Sequence, residues 1–209
     1  AGAHSTTSGA GMFGRCGPPR ARECVPSGSK RGLSCAHPAV PHSEAHYRLS
    51  TLRESLLEHL FIGELLRELW RRGPVVAEVL KPQVDATGYD VVVACAGVTR
   101  HIQMKTSTRS ARAAGQKVHV ALGEKRSGCV VWVQFDAATM ELGPYLFFGG
   151  APGEPLPSLD ALRTARHTKA NAEGHKAERP NLRVVPKGRF TKLETIDEVI
   201  EALFGEVGG

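Results

Sequence analysis

A chain of 209 residues with 41% hydrophobic and 23% charged side chains is long enough for one sizeable core, and its length does not require a second domain. The longest apolar runs, near Val91 to Ala96 and Cys129 to Val133, are far too short to cross a bilayer, so no transmembrane or secretory segment is read and no membrane partner is expected. A formal charge of +6 and a pI near 9.2 favour an acidic partner, of which nucleic acid is the commonest.

Residues 1 to 44 are rich in Gly, Ser, Pro and Ala and have no apolar period, so they are expected to form a disordered leader. Two motifs in it are decoys. "GAGMFG" satisfies the G-x-G-x-x-G string, but no strand precedes it and no amphipathic helix follows. Cys16, Cys24 and Cys35 with His37 and His42 lack the C-x-x-C pairs usual in zinc sites. The other two of the five cysteines, Cys95 and Cys129, sit in apolar strand-like runs where a reduced thiol packs as a small hydrophobe, which suits a reducing cytoplasm.

From Ser50 the segment "STLRESLLEHLFIGELLRELWRRG" repeats apolar residues at three- and four-residue steps and stops at Gly73-Pro74, which predicts a helix. Its apolar residues wrap much of the circumference, as in a mostly buried helix. Glu58 falls on the stripe of Ile62, Leu65 and Leu69, and Glu64 falls beside Leu57, Leu60 and Phe61. The β-branched run at 75 to 80 reads as a strand, and "GYDVVVACAGVTRHIQMK" (88 to 105) reads as a hairpin around Ala96-Gly97.

After the hairpin comes a polar stretch with Arg109 and Arg112, then "VHVALGEK" (118 to 125), which is ambiguous between strand and short helix. "CVVWVQF" (129 to 135) and "PYLFFG" (144 to 149) are strands, the first apolar enough to be covered on both faces. Ser158 can cap a helix running to about Ala170, and Thr195 with Glu198 forms a capping box for a last helix ending at Gly205. From Asp160 to Lys192 nine Lys/Arg face three acids, so Arg163, Arg166 and Lys169 are candidate phosphate contacts, together with Arg109 and Arg112. The organisation is then a leader (1 to 44), a core (45 to 150) and a basic C-terminal helical extension packed on it (151 to 209).

The hairpin holds the chemistry. A two-residue turn at Ala96-Gly97 sets Asp90 opposite Gln103; alternation puts Lys105 on the face of Gln103 and turns Ile102 and Met104 into a core. A hard divalent cation takes oxygen ligands and keeps several waters, so Asp90, Gln103, the Met104 carbonyl and a helix carboxylate, Glu58 or else Glu64, are candidate ligands. Lys105 would orient the attacking water and offset charge on a phosphate. The bland alternative is an Asp–Lys pair with a hydrogen-bonded Gln at a sheet edge. Asp85 is taken as a loop cap.

A helix with an embedded Glu, a strand, G-Y-D, a hairpin and Q-x-K in that order resembles the PD-(D/E)xK nuclease superfamily, and I-Q-x-K-T-S narrows this to its Mrr-like restriction endonuclease branch. The resemblance spans roughly residues 50 to 150. It implies an α/β sandwich with a central mixed β-sheet of four or five strands flanked by helices, and it makes 118 to 125 a helix. It further implies Mg2+ or Mn2+ as cofactor, with Asp90, Gln103 and Glu58 as metal ligands and Lys105 as the catalytic lysine. DNA is then the partner, and a homodimer is compatible with the family. Gln103 departs from the acidic form of the motif, so a bound ion would meet one negative charge fewer. The function expected is Mg-dependent phosphodiester hydrolysis in DNA; the alternative is a silent nuclease-fold protein that binds nucleic acid or a protein partner through its basic C-terminal segment.

Overall fold

A computed structural model describes residues 48–73, 76–84, 87–167 and 176–207. The leader, Asp85 and Lys169 lie outside them. The helix expected after Arg48 runs Ser50–Arg72 (α1) and stops at Gly73, whose φ of 142° suits glycine. Its buried stripe is Leu57, Phe61, Leu65 and Leu69, the four-residue step of one helix face. The other face is open: Leu52 and Trp70 are 63% and 75% exposed. The helix is therefore amphipathic, where the sequence suggested one buried nearly all round.

Five strands follow at Ala77–Leu80 (β1), Val91–Cys95 (β2), Val98–Thr108 (β3), Gly115–His119 (β4) and Gly128–Phe135 (β5). Next come Leu142–Gly149 (β6), Thr164–Arg166 (β7), Glu178–Pro186 (β8), Thr191–Leu193 (β9) and a helix at Ile196–Phe204 (α2). Six strands form one mixed sheet in the order β1-β2-β3-β5-β6-β9, in which β3 and β5 run parallel and the other neighbours antiparallel. The mixed central sheet of the α/β expectation is present, with six strands. Every residue of β5 is buried, as its unbroken apolar run requires of a strand covered on both faces.

The β2–β3 turn is the two-residue Ala96-Gly97, with Cys95 paired to Val98. Both central residues have positive φ (49° and 78°), the condition for the type I′ turn that matches strand twist. Alternation along the strands then separates two cores. On one face Val91, Val93, Ile102, Met104, Val131 and Val133 pack against Phe61, Leu65 and Leu69 of α1 and Ile200 and Leu203 of α2. On the other, Val130, Trp132, Leu146 and Phe148 pack against Val118, Leu122, Val185 and Phe190.

That second face departs from the expectation. It is covered by a three-stranded sheet, β4-β8-β7, where flanking helices were implied. Residues 118 to 125 close β4 and then form a 3-10 turn over Val120–Glu124, because β4 pairs with β8 from Gly115↔Pro186 to His119↔Leu182. Ser158 does not cap a helix. Its hydroxyl donates to Asp160 in a local turn, and Thr164–Arg166 is a strand paired with β8. The described residues between 151 and 190 are thus mainly loop and strand, and the only long helix of the described C-terminal segment is α2, whose N-terminus is the expected capping box: Thr195 Oγ accepts from the Glu198 amide. No helix among the described residues is long and apolar enough to cross a membrane.

Candidate active site at the open edge of β3

The site follows from unequal strand lengths. β2 begins at Val91, opposite Ile102, whereas β3 continues to Thr108. Residues 103–108 therefore pair with β5 on one side and have no β2 residue on the other. An unpaired strand edge must find other partners for its backbone groups. Asp90 supplies one: its Oδ2 accepts from the Met104 amide at 2.6 Å, while the Asp90 amide donates to the Ile102 carbonyl at 2.9 Å. The carboxylate thus stands where the next β2 carbonyl would be.

A cavity of about 430 Å³ opens at this edge, lined by Asp90, Met104, Lys105 and Thr106 from the sheet and by one face of α1. The helix contributes Thr51, Glu54, Ser55 and Glu58, spaced at three and four residues so that all point the same way. Glu58 Oε1 is buried without a well-aligned hydrogen bond, and the Lys81 ammonium lies against it. Lys105 is half-buried and makes no hydrogen bond or ion pair with any described residue. Glu64 points elsewhere, accepting from the Tyr145 hydroxyl at 2.9 Å; burial, then that bond, pushes the phenol above its ordinary range.

Gln103 is on the face of Lys105, as alternation requires, but it does not line this cavity. Its side chain is buried and Oε1 accepts from the His119 amide at 3.2 Å, which fastens β4 over β3. A second cavity, of about 440 Å³, lies there between Gln103, Lys105, His119 and Arg179. The His119 side chain packs on Gly88, where an added Cβ would come within 2.5 Å of the His119 Cβ and 2.8 Å of its ring, and where φ is +76°. The glycine of G-Y-D therefore makes room for the strand that Gln103 holds.

Four other expected contacts are placed away from both cavities. Arg109 donates to the Gly143 carbonyl at 2.7 Å and braces the β5–β6 turn. Arg166 pairs with Glu178 at 3.3 Å on β7–β8, and Arg163 and Arg112 are exposed outside the cavities. Sequence reasoning missed Glu54, which the helical step back from Glu58 would have found, and Lys117 and Arg179, which only the second sheet brings near Lys105.

The donor set suits a hard cation in part. Glu58 and Asp90 put two carboxylates on one cavity, with Glu58 Oε1 held by the Lys81 ammonium. Among the described residues no three His, Cys, Asp or Glu side chains converge as a metal-binding group, and the Gln103 oxygen is engaged by His119.

No family model matches the chain. Nor does any curated protein or solved structure match it significantly. The geometry of this edge therefore carries the functional assignment by itself.

Proposed function

We propose that this chain is a metal-dependent nuclease that hydrolyses phosphodiester bonds in DNA, built on a restriction endonuclease-like sandwich of the PD-(D/E)xK type. The observation that carries it is the shared cavity of Glu58, Asp90 and Lys105 at the edge where β3 outruns β2. Two carboxylates beside a lysine with no counter-ion among the described residues is the set of groups that phosphodiester hydrolysis uses: acids to hold a cation, an ammonium to meet phosphate charge.

Glu58 and Asp90 would hold Mg2+ or Mn2+, with the Met104 backbone beside them. Bound there, such an ion supplies Lewis acidity toward a phosphate oxygen and acidifies water. Asp90 is fixed by the Met104 amide, so its carboxylate keeps one orientation. Lys105 meets the scissile phosphate and orients the attacking water. Gln103 acts at one remove, as a positioning residue: its bond to the His119 amide holds β4 against β3 and so sets the wall beside Lys105. The buried free thiols of Cys95 and Cys129, the latter pushed up to about 12 by burial, suit a reducing cytoplasm.

A second reading is supported by one feature. Lys81 already sits against Glu58, as a permanent counter-ion would in a silent nuclease-fold protein that only binds nucleic acid or a protein partner. Cleavage assays separate the two: linear, nicked, branched and single-stranded DNA, each with magnesium, manganese or EDTA, beside Asp90→Ala. The nuclease reading expects cleavage in at least one metal-containing mixture, absent in EDTA and reduced at least about a hundredfold by the substitution. No cleavage anywhere, or equal cleavage by both proteins, defeats it.

A further inference from the structure

The candidate site does not end at Lys105. Its cavity shares Lys105 and Gln116 with the second cavity, and the second shares His119, Arg179 and Leu182 with a third of about 300 Å³ over the start of β8. The three join into one groove that begins at α1, crosses the open edge of β3 and runs along β4 to the start of β8. Its charge changes sign along the way. At the α1 end stand Glu54, Glu58 and Asp90; beyond Lys105 come Lys117 and Arg179.

Among the described residues those cations have no anionic partner. Arg179 forms no side-chain hydrogen bond or ion pair with a described residue, and Lys117 Nζ reaches only the Arg166 carbonyl, at 3.4 Å. The one acid lining the far part of the groove, Glu178, is already paired with Arg166. Unpartnered cations along a groove attract an anion that extends along it.

We infer that this groove holds a single polynucleotide strand, with Lys117 and Arg179 on consecutive backbone phosphates and the acidic end at the scissile bond. It rests on the nuclease reading only for what happens at the acidic end. Pockets of about 300 Å³ and above accept drug-sized molecules, so each link has room for about one nucleotide. Among the described residues the lining contains no Phe, Tyr or Trp on which bases could stack. Contact is therefore with the backbone, and binding tolerates any sequence. Of the cations that sequence suggested for this task, Arg166 is held by Glu178 on β7, and Arg163, just before that strand, is exposed outside the track.

The test is fluorescence anisotropy of a labelled single-stranded oligodeoxynucleotide, in EDTA, across a salt series. Lys117→Ala with Arg179→Ala should weaken binding at least about tenfold at low salt. It should also flatten the slope of log K against log salt by about 1.4, two phosphate contacts on a single strand. Lys117→Arg with Arg179→Lys should restore most of both, which a folding defect would not allow. Arg163→Ala with Arg189→Ala should leave affinity within about twofold. Wild-type binding by the Lys117/Arg179 pair, an equal loss from the Arg163/Arg189 pair, or tighter binding of a duplex of the same sequence overturns the inference. Because no metal is present, loss of binding in a protein that never cleaves defeats the nuclease reading and leaves the groove standing. Cleavage that needs Asp90, in a protein whose binding ignores Lys117 and Arg179, does the reverse.

Discussion

The two faces of the central sheet are closed by opposite means. Under α1 and α2 the closure is by interlocking: apolar side chains interdigitate, and the helices are tied by Arg72, which donates to Asp197 at 2.9 Å and holds its carboxyl below the ordinary range. Arg100 adds a lock. It is fully buried and donates to the carbonyls of Leu203, Ala202 and Gly150, with its guanidinium over Phe147. A cation at the end of α2 meets both the orphan carbonyls and the negative end of the helix dipole. The opposite face is covered by a sheet, which meets β3 through Gln103 and the Trp132 core and leaves a groove beside them. Stability is concentrated on the first face, whereas the candidate chemistry sits at the open edge of β3, between α1 and β4.

Substitutions can break that contrast. Arg100→Ala should have the largest effect on stability, about 3–5 kcal/mol, because it removes a buried charge and strands three carbonyls. A urea midpoint lowered by less than the equivalent of about 1 kcal/mol would mean the lock is not a lock. Ala96→Asn acts the other way. Alanine at φ 49° is strained, asparagine tolerates that region and Asn-Gly is the favoured type I′ pair, so stability should rise by about 0.5–1 kcal/mol, read from the same midpoint.

The smallest effect is one of pH. Burial, then the Lys125 charge, lowers the His101 pKa, and its Nδ1 is buried without a hydrogen bond. A base whose folded pKa lies below the unfolded value of about 6.5 contributes stability that is fully present above 6.5 and lost as pH falls through the folded value. Urea midpoints between neutral and mildly acid pH should therefore fall, and fall less in His101→Gln. An unchanged slope in that variant would remove the assignment.

Local signals made part of this legible in sequence. The 3.6 period and Gly73 gave α1, the T-x-x-E box gave α2, and Ala96-Gly97 gave the hairpin and the faces of Gln103, Lys105, Ile102 and Met104. Each of these rests on residues within about one turn or one pairing of each other. What was not legible depends on distant pairing. Thr164–Arg166 is a strand only because β8 lies beside it, and the same residues alone suggest a helix behind Ser158. Gln103 was correctly assigned to a face, but its partner is the backbone of His119, sixteen residues on, delivered by the second sheet. Lys117 and Arg179 carry no motif at all. Their juxtaposition with Lys105 exists only once β4 and β8 have paired into the second sheet.

The central claim is that Glu58, Asp90 and Lys105 are one hydrolytic site. Its most direct test is the single-turnover cleavage rate of Lys105→Ala against the wild type, in magnesium, on the substrate the wild type cuts best, with oligonucleotide affinity measured in parallel. Lys105 has no hydrogen-bond or ion-pair partner among the described residues, so its removal should leave stability within about 0.5 kcal/mol. The account predicts a rate lowered at least about a hundredfold with affinity changed only a few-fold. A rate equal to the wild type's would contradict it.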